Sequence, residues 1–193
     1  MRKLIAAFKI SADGRTEGAQ RYADWVTGWS DDYGLTPQVD ACVLGGGMFP
    51  GYEQYWTGIL AHPAEPTPQT GLVPTPGELE WARIAPGIPH YVVSSTLTET
   101  TWPNTRILPG LDDLAALKRE SGKDIYLMGG ARIAAAALDA GLVDELRLIV
   151  YPLIVGPGTG LFTTVEKRRA LQLRSLEQRP DGNFGLVYGI GRD

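Results

Sequence analysis

The 193-residue chain reads as an α/β fold with a mainly parallel sheet that ends in an antiparallel hairpin. Three observations carry that reading. Up to Val150, short apolar runs alternate with amphipathic or alanine-rich segments, the order that right-handed crossovers and strands buried on both faces require. Two of those runs end directly in adjacent glycines, at Gly45-Gly46-Gly47 and at Gly129-Gly130, as strand-to-helix turns do. The C-terminal end holds two strand-like segments around Pro180-Asp181-Gly182-Asn183, a hairpin signature.

Residues 3–10 (KLIAAFKI) have a strand's length and stop at the turn-forming cluster Ser11-Ala12-Asp13-Gly14. Residues 18–33 place Trp25, Val26 and Trp29 at helical spacing among polar residues and read as a short helix or two. Residues 40–44 (DACVL) form the second buried strand. Eight of the fourteen prolines lie between Pro50 and Pro89, so this stretch is read as an aromatic helix over 52–60, an irregular loop, and a helical turn over 78–84. A loop of that length within one domain is often functional or mobile. Residues 90–94 (HYVVS) are a strand ending in a hydroxyl, and 105–108 a short strand. Residues 111–121 form an amphipathic helix whose Asp112 and Asp113 complement the positive end of its dipole. After the strand at 124–128 (DIYLM), the alanine-rich residues 131–140 favour helix, opened by Gly129-Gly130 and closed by Gly141 as a left-handed cap. A strand over 144–150, a turn-rich stretch over 152–160 (PLIVGPGTG), and hairpin strands over 171–178 and 184–190 complete the chain.

The length fits one domain, residues 1–193. With 22 acidic against 18 basic side chains, a net charge of −4 and no concentrated basic face, nucleic acid is excluded as a general partner. Apolar runs such as residues 146–150 fall far short of the roughly 20 residues that cross a bilayer, and the start of the chain lacks a signal-peptide core, so no membrane partner is expected. A lone cysteine closes no internal disulfide, and two histidines with one cysteine do not make the usual zinc site, so no metal is expected either. The expected location is the cytosol.

The two glycine clusters carry the chemistry. At the carboxyl end of a strand, glycine lets the backbone approach a phosphate closely. Gly129-Gly130 is the sharper case, because a helix begins at once, its free N–H groups form an anion site, and Arg132 stands in the first turn. Tight strand-to-helix turning explains the same glycines equally well. The dinucleotide fingerprint G-x-G-x-x-G is missing after the first strand, and neither a G-x-S-x-G elbow nor a P-loop lysine occurs.

Taken in order, six stations resemble the dihydrofolate reductase superfamily, and more closely the reductase domain of bacterial riboflavin biosynthesis and its stand-alone relatives. They are Ser11-Ala12-Asp13-Gly14-Arg15, residues 40–45 as D-x-x-V-x-G, 89–97 (PHYVVSSTL), 125–133 (IYLMGGARI), 141–148 (GLVDELRL) and 152–162 (PLIVGPGTGLF). The resemblance implies a three-layer α/β sandwich, and a reduced nicotinamide cofactor bound across the carboxyl ends of the strands. It implies that the loop after the second strand and the Gly-Gly helix start hold the cofactor's phosphates, with the serine after the third strand at its adenosine end. The corresponding residues are Gly45, Ser94, Ser95, Gly129, Gly130, Ala131 and Arg132. A strand-end hydroxyl such as that of Ser94 also serves to cap a free backbone group. Family members carry Arg or Lys after the glycine of strand two, then a Thr, and these recognise the 2′-phosphate; Gly46, Gly47 and Met48 stand here. The resemblance implies NADPH as the cofactor; the missing cation after Gly45 leaves NADH open, with Arg106 a substitute cation.

Hydride transfer rests on positioning and water exclusion, with one protein group polarising the acceptor. Asp13 is the first candidate for a catalytic and substrate-binding role, against the alternative of an Asx-turn residue. Arg15 replaces a lysine that in riboflavin-pathway relatives contacts a sugar phosphate. Asp31 and Asp32 stand as candidates for the acid that holds a pterin, against a solvated helix start. Trp25, Trp29, Tyr52, Tyr55 and Trp56 either wall a flat heterocycle or belong to the core, core being the commoner use. Cys42 is read as packing, and His62 and His90 as structural or surface residues. The expected function is an NADPH- or NADH-dependent reductase of a small pyrimidine- or pterin-like substrate, as a homodimer. The alternatives are a nucleotide-binding module without catalysis and a structural homodimer of the same fold.

Overall fold

The computed structural model describes residues 1–20, 23–26, 28–29 and 33–191. Strand β1 (Leu4–Ser11) has all eight residues buried, as an apolar run without alternation must when both faces of its sheet are covered. The other elements follow as β2 (Arg15–Gly18), β3 (Val39–Gly45), α1 (Phe49–Ala61), α2 (Pro76–Ile84), β4 (His90–Val93), β5 (Thr105–Leu108), α3 (Leu111–Arg119), β6 (Asp124–Gly129), α4 (Ala131–Asp139), β7 (Glu145–Tyr151), β8 (Gly158–Gly160), β9 (Leu171–Gln178) and β10 (Phe184–Ile190). Eight strands form one sheet in the order β5-β4-β3-β6-β1-β7-β10-β9. The first six in that order run parallel. β10 and β9 add antiparallel, so the expected mixed sheet with a terminal hairpin is found.

Alternate residues of β1 feed two cores. Leu4, Ala6 and Phe8 pack with Leu114 of α3 and Ile133 and Ala137 of α4. Ile5 and Ala7 belong with Phe49, Tyr52 and Trp56 of α1 and Trp81 of α2. Helices thus cover both faces, giving three layers. Local chemistry sets their starts. Thr75 and Glu78 form a reciprocal capping box at α2, with Pro76 in its first turn. Gly141 adopts the left-handed conformation (φ 67°) after α4. At the amino ends, Lys118 of α3 pairs with Asp144 at 2.5 Å, and the same carboxylate oxygen accepts from the Leu4 amide at 2.9 Å.

Two expectations need correction. Over 18–33 the described residues form no helix: Asp24 and Trp25 lie in a turn. The reason is competition for the backbone, since Lys9 Nζ donates to the Gly28 carbonyl at 2.6 Å and the Trp29 amide donates to Glu78 Oε1 at 3.1 Å. Asp31 and Asp32 lie outside the described residues. The turn-rich stretch at 152–160, in turn, contributes β8, which pairs antiparallel with β2 in a separate ribbon.

Because six strands run parallel, their carboxyl ends share one rim, formed by Leu108, Val93, Gly45, Gly129, Ser11 and Tyr151.

Candidate functional site at the carboxyl rim of the sheet

A gap opens in that rim between β1 and β6. Their ladder ends at Ala6–Leu127, although β1 continues along β7 as far as Ser11–Tyr151. On its other side β6 shifts register against β3 between Val43 and Leu44, so that Leu44 pairs with Gly129. Gly129 (φ 156°) and Gly130 then turn the chain into α4, and the peptide between them is cis.

Gly130 caps α4 with no side chain. The first backbone bond there is from the Ala134 amide to the Gly130 carbonyl, so the amides of Ala131, Arg132 and Ile133 precede the helical ladder. These donors, at the positive end of the helix dipole, suit an anion. Arg132 is exposed in the same turn. Gly45 faces this helix: a Cβ there would come within 3.1 Å of Ile133 Cγ2. Its side-chain-free surface is therefore used for strand-to-helix packing.

Met48 was not expected in the site. A Cβ on Gly129 would overlap the Met48 sulfur, so the thioether lies across the mouth of β6. It is 37% exposed and flexible enough to move aside. Gly46 is closed off in another way: a Cβ there would overlap the side chain of Ser94. The Ser94 hydroxyl accepts from the amides of Thr96 (3.2 Å) and Leu97 (3.0 Å), the capping use of a strand-end hydroxyl. Ser95 beside it is exposed, as is Arg106 on β5.

Asp13 is engaged at both oxygens. Oδ1 accepts from Ser11 Oγ (2.6 Å) and the Val155 amide (3.0 Å), and Oδ2 from the Gly156 amide (2.9 Å). The Ser11 hydroxyl, followed by the Val155 amide, holds this carboxyl well below the usual carboxylate range. A group so strongly acidic stays ionised near neutrality and is poorly suited to deliver a proton. Its evident task is to tie the turn after β1 to the loop before β8. Arg15 lies alongside, with Nε 3.6 Å from Asp13 Oδ2 and Nη1 donating to the Gly158 carbonyl at 3.3 Å.

On the α1/α2 face Lys9, Trp29, Tyr55 and Glu78 form one linked cluster. Glu78 Oε1 accepts from the Tyr55 hydroxyl (2.6 Å) and the Trp29 amide, and Oε2 from the Thr75 amide (2.8 Å) and hydroxyl (2.9 Å). Burial pushes this carboxyl up, but the bonds from Tyr55, Thr75 and Trp29 outweigh it and leave it below its ordinary value. Of the candidate aromatics, Tyr52 and Trp56 are core, while Trp29, Tyr55 and Trp25 are half-buried. His90 is also core: its Nδ1 bonds the Ile88 carbonyl (2.7 Å) and its Nε2 the Tyr52 hydroxyl (2.9 Å). His62 is exposed, 3.4 Å from Glu65. Cys42 is buried in β3.

Sequence reasoning missed Lys9 and Met48. For Lys9 a signal existed, a lone cation inside an apolar run. For Met48 no comparable signal existed. Among the described residues no group of three or more His, Cys, Asp or Glu could hold a metal ion, and no helix is long and apolar enough to cross a membrane.

The RibD C-terminal domain model matches residues 2–184 of the chain. The uncharacterized protein YyaP of Bacillus subtilis strain 168 is 30% identical over 194 residues, spanning 97% of this chain and 94% of its own. A candidate riboflavin biosynthesis protein from Shewanella sp. PV-4 superposes with a TM-score of 0.70 at 20% identity, over 98% of this chain and 99% of its own. A Thermotoga maritima diaminohydroxyphosphoribosylaminopyrimidine deaminase/5-amino-6-(5-phosphoribosylamino)uracil reductase gives 0.64 at 12% identity, over 98% of this chain and 57% of its own. Dihydrofolate reductase from Enterococcus faecalis, complexed with NADP(H), gives 0.55 at 12% identity over 98% and 97%. The fold is thus dihydrofolate reductase-like.

Proposed function

The chain belongs to the RibD C-terminal domain family, and from that premise we propose that it is a reductase passing a hydride from a reduced nicotinamide dinucleotide to a small pyrimidine- or pterin-like heterocycle. The observation that carries the reading is the uncapped start of α4 beside the gap between β1 and β6. The amides of Ala131, Arg132 and Ile133 would bind the pyrophosphate, with Gly129 and Gly130 leaving the backbone bare for it. Gly45 keeps the helix start close to β3, and Ser94 and Ser95 stand at the adenosine end of the rim. Arg132 adds charge at the phosphates. When bound, the reduced nicotinamide supplies the hydride; the chain's own residues position, exclude water and hold charge. Asp13 fits a supporting part, fixing the 155–156 backbone, and Arg15 the recognition of an anionic substituent.

Both cofactors remain in play. Glycine stands at position 46 and a side chain there would meet Ser94, so no cation follows Gly45 to meet a 2′-phosphate, and Arg106 or Arg132 would have to supply one. Pairing of two chains is also part of the proposal. The edge strand β9 is exposed throughout, and Leu171, Leu173 and Leu176 face outward from it.

Titrating the tryptophan fluorescence with NADPH and NADH tests the binding half of the reading. Quenching by at least one is expected, and no response to either at millimolar concentration would refute it. The catalytic half is tested by cofactor oxidation with a panel of pyrimidine and pterin acceptors. Binding without oxidation by any member would favour a nucleotide-binding module.

A further inference from the structure

The bare backbone that a phosphate needs at Gly129 and Gly130 is covered in this structure by one side chain. A Cβ on Gly129 would overlap the Met48 sulfur and come within 3.2 Å of its Cε, and one on Gly130 would lie 3.7 Å from Met48 Cβ. The same point in front of Gly129 is 3.9 Å from Cε1 of Phe8, which belongs to the part of β1 that has parted from β6. Met48, from the turn between β3 and α1, therefore reaches the gap itself and lies over both glycines.

Its backbone is fixed and its side chain is not. The Met48 amide donates to the Gly45 carbonyl at 3.0 Å, its carbonyl accepts from the Tyr52 amide at 3.1 Å, and Phe49 behind it is fully buried. The side chain makes no capping bond, is 37% exposed, and is unbranched with three rotatable bonds. Movement here means rotation of one side chain on a held backbone, which is fast for an exposed residue. Only part of the thioether is withdrawn from water, so the free energy holding it over the glycines is a fraction of that for a fully buried methionine. The covered arrangement is favoured by about three- to tenfold on that basis.

Resting on the nicotinamide reading proposed above, we infer that Met48 is an autoinhibitory stopper, which occupies the Gly129-Gly130 surface in the free protein and rotates out before the dinucleotide seats. A ligand that binds only the uncovered arrangement has its apparent dissociation constant raised by the inverse of that arrangement's population. A thioether donates no hydrogen bond and accepts only weakly, so contact with a phosphate does not offset this cost. Because the rotation is fast beside diffusional encounter, the stopper shows in affinity and not as a lag in association.

The chain has three methionines, Met1, Met48 and Met128, so ¹³C labelling of their ε-methyl groups resolves Met48 by NMR, assigned by its loss in Met48→Ala or Met48→Leu. NADPH or NADH added to saturation, as judged by tryptophan fluorescence, is expected to shift the Met48 resonance and leave that of the exposed Met1 in place. By calorimetry, Met48→Ala should bind the preferred dinucleotide about three- to tenfold more tightly than the wild type. Met48→Leu, whose terminal carbons reach as far out as the sulfur, should stay within about twofold of it. The labelled wild type carries the measurement should Met48→Ala not fold. Affinity of a folded Met48→Ala equal to or below that of the wild type, or a Met48 methyl unmoved at saturation, would overturn the inference while leaving the cofactor reading intact. Failure of both the wild type and Met48→Ala to bind either dinucleotide would overturn the cofactor reading itself, and the inference with it.

Discussion

Acidification from pH 6.5 toward 4 should remove stability from this protein through the buried imidazole of His90. His90 sits at the start of β4 with no exposed surface. The Ile88 carbonyl can only accept, so the proton resides on Nδ1; Nε2 then accepts from the Tyr52 hydroxyl, whose oxygen accepts in turn from Trp81 Nε1 at 3.3 Å. This assignment of the tautomer follows from the hydrogen bonds. Adding a proton at Nε2 would set two donors against each other and leave the Tyr52 hydroxyl without an acceptor. Burial, opposed by the smaller effect of the Ile88 bond, lowers the pKa from 6.5 to about 4. Between those values the unfolded chain binds the proton and the native one does not. The contribution is therefore fully present above pH 6.5 and is lost as the pH falls toward 4. The shift of 6.5 to about 4 corresponds, at 1.36 kcal/mol per pH unit, to roughly 3 kcal/mol. Urea unfolding of the wild type and of His90→Gln at a series of pH values across that interval measures it. The wild type should lose that much more stability than the variant. Equal pH dependence in the two proteins, or an imidazole that titrates near 6.5 in the folded state by NMR, would refute the reasoning.

Asp144→Ala would leave the buried Lys118 ammonium without its carboxylate, with only the Leu142 carbonyl accepting from it among the described residues, and denaturant unfolding should show a loss of about 3–5 kcal/mol. Gly46→Ala should destabilise by forcing its Cβ onto Ser94; adding Ser94→Gly should recover part of the loss, with a coupling of about 1–2 kcal/mol in a double-mutant cycle. Asp13→Asn places a donor where the Ser11 hydroxyl and the Val155 and Gly156 amides now converge, so hydrogen exchange of those two amides should quicken while exchange in α4 stays unchanged. Met48→Ala should uncover Gly129 and tighten binding of the reduced dinucleotide several-fold by calorimetry.

The regular elements were legible because their cause is local. The unbroken apolar run of β1, the alanines of α4 with Gly141 behind them, and the Asp181-Gly182 turn each specify structure within a few residues. The segment over 18–33 was misread because its decisive partners are remote: Lys9 and Glu78 take the backbone groups of Gly28 and Trp29 that a helix would need. β2 was missed because a four-residue strand of Arg-Thr-Glu-Gly has no apolar pattern and exists only through β8. At the site, the helix start after Gly129-Gly130 was visible in the sequence, since glycine before an alanine-rich helix has few other uses. The engagement of Asp13 was not, because the amides it binds lie far along the chain at Val155 and Gly156. Nor was the packing of Ser94 against Gly46, which depends on β3 and β4 being neighbours.

The proposed cofactor binding depends on the bare amides that open α4. Ala131 is the first residue of that helix, and Gly130 before it is extended (φ −85°, ψ −174°), a conformation that accepts a following proline. Ala131→Pro therefore deletes one amide donor at a position where proline suits the helix. Calorimetric titration of this variant with NADPH and NADH should show affinity for the preferred cofactor reduced tenfold or more, about 1.4 kcal/mol or above, with the melting temperature held. Affinity equal to that of the wild type in a folded variant would contradict it.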